Sequence, residues 1–486
     1  MTAIVWFRKD LRLDDHEALC ESLRTHQGRV ALCYCLDERE FAPIASIGIP
    51  KTGPYRARFL LESLEDLREQ ASACGARLIL RRGKPEEQLI ELAKELDAEE
   101  IVFFEEVTDE EMRVEQAVRE ACAAHGIEAT GYWGATLYHV GDLPFYLDDM
   151  PDVFTPFRKE LEKGSSVRAP RDAPGADAFS PELLPEGFDE GRIPTLEELG
   201  FDTAQATIDP RGVLDFQGGA SSAMARIRRY FFEEDRLGKY KETRNGLIGQ
   251  GYSSKLSPWL AIGCVSPRRV FERVHQYEQE RIKNDSTYWL IFELIWRDFF
   301  RFLAMKEGNA LFKREGIRQT DDAWRQDREQ FDRWVAGKTG VPFIDANMRE
   351  LASTGFMSNR GRQNVASYLA KELEIDWRWG ASYFESMLID YDPCSNWGNW
   401  QYVAGVGNDP RDRKFNVVGQ GERYDPKGEY IRRWLPELSE LRGDALHTPW
   451  RHDPHELERR FGLILGSDYP HPIPSRMIDN AQGRLF

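Results

Sequence analysis

Val30-Ala-Leu-Cys-Tyr-Cys-Leu36 runs without a charge between Gly28-Arg29 and Asp37-Glu-Arg-Glu40. An uncharged run of that length, bounded by turn and charged residues, reads as a strand buried on both faces. Ala3–Phe7, Arg77–Leu80 and Glu100–Phe104 read the same way, while Tyr55–Glu69, Pro85–Leu96 and Asp109–His125 between them carry helical periodicity. Strands alternating with helices predict a parallel, doubly wound α/β sheet. No GxGxxG follows the first strand, so a dinucleotide site of the usual kind is not indicated there.

Outward from this region the pattern changes twice. From about Gly141 to Phe216 it dissolves, and Ser165–Pro194 is rich in Pro, Gly, Asp and Glu, which predicts a long linker over the surface. From about Gly218 onward helical spacing dominates, in Ser222–Glu234, Tyr288–Lys306, Phe343–Ser353 and Gly361–Glu374. The expected organisation is an α/β domain over 1–135, a linker over 136–217 and an all-α domain over 218–486. A chain of 486 residues exceeds what one core usually serves, in keeping with two domains.

Composition excludes several classes. No run approaches the roughly 18 apolar residues of a membrane span, and Met1–Phe7 goes straight into a strand without the features of a signal peptide. A cytoplasmic protein without a membrane partner is expected. The seven cysteines are scattered with no CxxC pair, which is neither a disulfide framework nor a zinc pattern, and no metal site is expected. A net charge of −17 argues against coating nucleic acid by bulk electrostatics, but leaves room for a local basic groove.

The aromatic residues give the first sign of chemistry. Only Trp6 and Trp133 precede Trp259, and the other eleven of the thirteen tryptophans stand from Trp259 onward. No histidine lies between His275 and His447, so a hydrolase of the Ser-His-Asp or Cys-His kind would have to import its base. The region holds Trp, Asn, Arg, Asp and Glu instead, an inventory suited to holding a redox cofactor that does the chemistry.

Four blocks stand out there. Gly251-Tyr-Ser-Ser-Lys-Leu-Ser-Pro-Trp259 is a hydroxyl-rich turn that can bind a diphosphate, or simply cap a helix. In Tyr288–Phe300, Glu293, Trp296 and Arg297 share a helix face and could converge on one ligand. The same helix also reads as a core stripe with a neighbouring ion pair. Phe356-Met-Ser-Asn-Arg-Gly-Arg-Gln-Asn364, with Ile375-Asp-Trp-Arg378, forms the third block. The fourth, Leu388-Ile-Asp-Tyr-Asp-Pro-Cys-Ser-Asn-Trp-Gly-Asn-Trp-Gln-Tyr402, combines flat rings that stack a ligand with Asn and Asp that bond its edges.

In order and spacing, these blocks and the opening Ile4-Val-Trp-Phe-Arg-Lys-Asp-Leu-Arg-Leu-Asp14 resemble the photolyase/cryptochrome family over nearly the whole chain. The resemblance implies a U-shaped FAD in the helical domain, with Tyr240, Ser253, Ser254, Lys255, Leu256 and Ser257 on its phosphate side. Arg362 and Asp390 match a salt-bridged pair beside the isoalloxazine, Tyr391 and Asp392 lie on the same flavin-binding turn, and Asn396 matches the residue facing flavin N5. Trp400, Trp377 and Trp324 match a chain of tryptophans that delivers electrons from the surface.

The reaction implied is blue-light repair of cyclobutane pyrimidine dimers, of the deoxyribodipyrimidine photo-lyase type, by an electron from reduced FAD. By resemblance Glu293 stabilises the dimer's radical anion and Trp296 stacks on its rings. Arg297, also close to the cofactor, and Asn359 line the pocket. The family often carries an antenna chromophore such as methenyltetrahydrofolate, for which Glu110 and Glu106 are the candidate contacts, though their acidic loop reads equally as a solvated helix start.

Departures from the double-strand enzymes resemble the DASH branch, which acts on single strands. Gln363 stands where those enzymes carry Met, and Tyr402 replaces a second pocket Trp. The expected partner is damaged DNA, mainly single-stranded, and the expected state a monomer. The alternatives are a blue-light photoreceptor signalling through flavin redox state, and a double-strand photolyase. The chain stops at Phe486 without a long tail, and it keeps both Glu293 and Trp296, which favours an enzyme.

Overall fold

In a computed structural model, which describes residues 1–180, 182–409, 411, 414–475 and 478, the first part of the chain forms a five-stranded parallel sheet. The strands are β1 (Thr2–Phe7), β2 (Val30–Leu36), β3 (Leu78–Arg82), β4 (Ala98–Phe104) and β5 (Glu128–Tyr132), in the order β3-β2-β1-β4-β5. Every residue of β1 and β2 is buried, as their uncharged sequences require. Crossover helices α1 (Glu17–Thr25), α2 (Pro54–Ala73), α3 (Pro85–Leu96) and α4 (Asp109–His125) connect them, as parallel pairing demands. Two elements were not legible in advance. β5, Glu-Ala-Thr-Gly-Tyr, is a partly exposed edge strand without an apolar run, and α1 is only nine residues long.

The segment expected as a surface linker behaves differently in its two halves. It opens with Leu137, buried in the core, and a helix, α5 (Phe154–Gly164), whose Phe154, Phe157 and Leu161 are also buried. The rest is mostly irregular but pinned, with the Leu80 N–H donating to Glu190 O (2.6 Å) and Ser180 N–H to Gly28 O (2.9 Å). It thereby covers the outer edge of β3.

The remainder is helical, with α6 (Ala220–Ile227), α7 (Tyr240–Thr243), α8 (Ser257–Ala261), α9 (Pro267–Glu280), α10 (Asp285–Glu307), α11 (Arg328–Val335), α12 (Pro342–Thr354), α13 (Asn359–Ser367), α14 (Trp377–Met387) and α15 (Pro393–Ala404), then further helices of eight residues or fewer from Val417. Local chemistry sets the starts that matter. Asn284 and Thr287 form a capping box on α10, Ser358 caps α13, and Asp392 caps α15. α6 and α13 each run on into a π-helical turn, Arg228–Glu233 and Tyr368–Glu372, so the periods read from sequence span two geometries.

The two domains share one continuous core that runs from Val5 and Phe7 to Trp377 and Trp400. Buried charge locks the seam, with Arg268 paired to Asp15 (2.7 Å), Arg269 to Asp14 (2.6 Å), and Arg12 bonded to Gly263 O (2.9 Å).

Candidate active site

On the diphosphate side, the 250–257 turn is held from behind by Arg226 of α6. Its Nε donates to Ser254 O (2.9 Å) and its Nη2 to Gln250 O (2.8 Å) and Ser253 O (3.1 Å). Lys255 sits in the left-handed region at φ 56°. Its ammonium bonds Gln250 O and lies 3.3 Å from the centroid of Tyr252, a cation–π contact. Burial, reinforced by Arg226, lowers the Lys255 pKa well below its usual value. A phosphate there would restore the charge. Tyr240 and Leu256 are buried, Ser253 is half-buried and Ser257 exposed. α8 is only five residues long, so the hydroxyls and free N–H groups of the turn, rather than a helix dipole, would hold the anion.

At the expected isoalloxazine side, Arg362 of α13 is fixed by Met357 O (Nε, 2.9 Å) and pairs with Asp390 (2.8 Å). Asp390 is buried, and its second oxygen has no protein partner. That lone acceptor beside a salt bridge suits a ring N–H, so the residues fit a flavin. The Nδ2 group of Asn396 donates to Ala381 O (3.0 Å), which fixes the plane of its amide. Tyr391 turns its ring under Arg56 (4.8 Å) and its hydroxyl accepts from Trp397 Nε1 (3.2 Å), towards the α/β domain rather than Arg362.

Asp392 has a different job from its neighbours. It accepts from Ser395 N–H (2.7 Å) at the head of α15 and pairs with Arg301 (3.2 Å). Burial alone would raise its pKa, but Arg301 and Arg297 outweigh that and hold it at about 2.

The substrate face of α10 is only partly as expected. Glu293 is half-buried and ion-paired with Arg244, next to α7. Trp296 has Phe154 stacked on one face (3.6 Å, 7°), and Tyr402 stands edge-on to it (5.8 Å, 88°). One indole face at most is left for a base. Arg297 does not converge with them. Its guanidinium donates to the carbonyls of Ala135 and Leu260, because burial away from water leaves those acceptors as its partners. Gln363 accepts from Arg360 (2.9 Å), which also bonds Asn245 (3.0 Å), and Asn359 is exposed at the start of α13.

The candidate antenna contacts separate. Glu110 is exposed and paired with Lys51. Glu106 is not on that surface. It turns inward past the end of β4 and pairs with Arg301 (3.2 Å), although one of its oxygens has no protein partner.

Among the tryptophans, Trp400 lies against α14, where any side chain at Gly380 would strike it (2.2 Å). Trp377 is fully buried, donates to Arg314 O (3.2 Å) and meets Trp397 edge-on (5.6 Å). Trp324 is half-buried, and a backbone bridge joins its neighbour Arg325 to Ile375, two residues before Trp377. Reading the sequence missed Arg226, Arg244, Arg301 and Arg360. No spacing pattern could mark the pairs of Arg244 and Arg301, since Arg244 reaches a partner 49 positions away and Arg301 one 195 away.

Comparison with known proteins agrees with this architecture. Residues 3–175 match the family model described as DNA photolyase, and residues 289–483 match the FAD binding domain of DNA photolyase. The chain belongs to the photolyase/cryptochrome family, and its helical domain is an FAD-binding domain. It is 51% identical over 473 residues to the cryptochrome DASH of Synechocystis sp. strain PCC 6803, covering 97% of this chain and 94% of that one. The crystal structure of Synechocystis cryptochrome superposes with a TM-score of 0.92 at 50% identity, over 99% of this chain and 98% of that one. An archaeal photolyase from Sulfolobus tokodaii with two FAD molecules gives 0.76 at 27% identity, over 99% and 98%. Among the described residues no helix is long and apolar enough to cross a membrane, and no group of side chains could hold a metal ion.

Proposed function

We propose that this protein repairs cyclobutane pyrimidine dimers in single-stranded DNA under blue light. Bound FAD, once reduced, supplies the photo-excited electron. The observation that carries the reading is the Trp296–Tyr402 contact beside Glu293, which puts a flat ring, a phenol and a carboxylate at one half-exposed rim. Trp296 offers its uncovered face to the dimer. Glu293, released from Arg244 when a phosphate takes that cation, acts in its neutral acid form, donating its O–H to a carbonyl on the dimer's edge and stabilising the negative charge that develops there. Asn359 and Gln363, on α13, would border the same rim.

The strand preference follows from the same wall. Flipping a dimer out of a duplex costs a few kcal/mol of unpairing and unstacking, whereas a single strand largely avoids it. With Phe154 on one face of Trp296, and Tyr402 and Gln363 in place of apolar walls, the rim stacks weakly. The net charge of −17 offers no general electrostatic reserve. Asp390 and Arg362 hold the cofactor ring, Lys255 and Ser253–Ser257 its phosphates, and Trp400, Trp377 and Trp324 resupply electrons. A second chromophore such as methenyltetrahydrofolate would lie against the α/β domain near Glu110, and the protein acts as a monomer.

The test is repair of the same dimer in a single strand, a bubble and an intact duplex. Clear repair of the first two with poor repair of the third is expected. Tyr402→Trp with Gln363→Met should shift activity towards duplex, and equal wild-type rates on duplex and single strand would make it a double-strand photolyase.

A further inference from the structure

Resting on the placement of the FAD diphosphate at Lys255, we infer that Glu350 keeps a proton in the FAD-loaded protein. Binding FAD then draws protons from solvent, and mildly alkaline pH loosens the cofactor. Glu350, on α12, is 1% exposed, and its Oε2 lies 2.6 Å from the Tyr430 hydroxyl. The same hydroxyl lies 3.0 Å from Oδ1 of Asn347, one turn earlier on α12. The Asn347 amide cannot turn over, because its Nδ2 donates to Phe343 O (2.6 Å) and fixes Oδ1 towards Tyr430. A phenol has one hydrogen, so Tyr430 can donate to only one of these two acceptors. Both contacts are satisfied when Glu350 brings the second hydrogen, donating to the Tyr430 oxygen while Tyr430 donates to Asn347. All three residues are buried, so bulk water does not supply it.

Burial raises the Glu350 pKa to about 8, against the opposing pull of the Tyr430 hydroxyl and of Lys255, Arg362 and Arg433. Those groups stand on three other elements, the 250–257 turn, α13 and the helix Glu429–Trp434, and Tyr252 faces Glu350 as well. Lys255 has no carboxylate bonded to it among the described residues. Its ammonium rests on Gln250 O and the Tyr252 ring, with Arg226, Glu234 and Glu350 acting on it from further off. This buried cation can therefore serve one of two anions. In the free protein, an ionised Glu350 takes it as counterion. In the loaded protein it serves the diphosphate, and an ionised Glu350 would add like charge behind it. Both Glu350 and Lys255 thus hold protons more tightly beside a diphosphate. Glu350 takes its proton from solvent onto Oε2, and an uncharged Lys255 takes one onto Nζ. A group whose pKa rises on binding favours the bound state fully below its free-protein pKa. That help is lost as pH climbs from about 8 towards the higher value in the complex.

FAD-loaded wild type, Glu350→Gln and Lys255→Met test this. Each is diluted to equilibrium between neutral pH and about pH 9, and the fluorescence of released FAD gives Kd at each pH. Infrared spectra of the loaded wild type and Glu350→Gln at the alkaline end read the carboxyl stretch. The glutamine amide donates the same hydrogen to Tyr430 but does not titrate, so Glu350→Gln should match the wild type near neutrality. Above about pH 8 the wild-type Kd should rise more steeply than that of Glu350→Gln, by up to about tenfold per pH unit, the slope of one proton. A carboxylic-acid band should be present in the loaded wild type and missing from Glu350→Gln. Lys255→Met should weaken FAD binding at every pH. The wild-type slope is read without any variant, so the test survives a Glu350→Gln that fails to fold. A wild-type Kd that does not change with pH, a slope that Glu350→Gln leaves intact, or identical carboxylic-acid bands would overturn the proposal. Unchanged FAD binding in Lys255→Met would instead remove the placement on which it rests.

Discussion

Arg301 and Glu106 form an ion pair 3.2 Å long between the helical and α/β domains, with side chains only 2% and 1% exposed. The same guanidinium holds Asp392 at the head of the flavin-side helix, also at 3.2 Å. One cation therefore neutralises two carboxylates taken out of water, one from each domain.

Removing it should be severe. Arg301→Met strands both carboxylates and should cost about 3–5 kcal/mol, the range for breaking a buried pair by deleting one partner. Asp392 sits at about 2 in the folded protein, below the roughly 3.9 of an unfolded aspartate. Its contribution is therefore full above pH about 4 and is lost as pH falls from about 4 towards 2. Denaturant melts at several pH values should show an acid limb in the wild type that is flatter in Arg301→Met. An unchanged midpoint at neutral pH would show that the triad is not a structural lock.

The sequence carried the fold well and the site unevenly. Short uncharged runs between turn and charged residues, such as Val30–Leu36, read as buried strands, and the helical periods of α3 and α4 gave their limits as observed. β5 and α1 lacked such runs. Arg362 with Asp390 was legible because a family motif holds them as a pair, and the structure joins them at 2.8 Å. Arg297 was misread because a shared helix face fixes where a long side chain starts, not where it ends, and its donors are spent on Ala135 and Leu260. Glu106 was misread for a related reason. Its partner stands 195 positions away, where no local pattern reaches.

Asp390 offers a direct test of cofactor holding. Asp390→Asn keeps the volume but weakens the pair with Arg362 and replaces one acceptor by a donor. It should lower FAD retention by about 1–3 kcal/mol, the usual cost of losing a charged hydrogen bond. The flavin-to-protein absorbance ratio after gel filtration, with FAD titration of the stripped protein, reads this. Full retention with unchanged affinity would move the ring away from Asp390.

Glu293 and Trp296 should separate in their effects. Glu293→Ala should lower the yield of repair per absorbed photon more than DNA affinity, because the hydrogen bond Glu293 donates strengthens as the dimer becomes reduced. Trp296→Ala should weaken binding of a dimer-containing strand by roughly 1–3 kcal/mol, the range of aromatic–base stacking. Binding isotherms paired with quantum yields at saturating DNA check both. Equal yields and affinities in wild type and variants would place the substrate elsewhere.

Light-dependent dimer splitting itself is the most direct measurement. Purified protein carrying chemically reduced FAD is mixed with a short single strand containing one thymine dimer, and restored thymines are counted by chromatography in the dark and under blue light. Restoration under light alone is expected, with turnover beyond one dimer per protein. No restoration at saturating single-stranded substrate, from protein that retains reduced FAD, would contradict repair and leave a light-sensing role for the same fold.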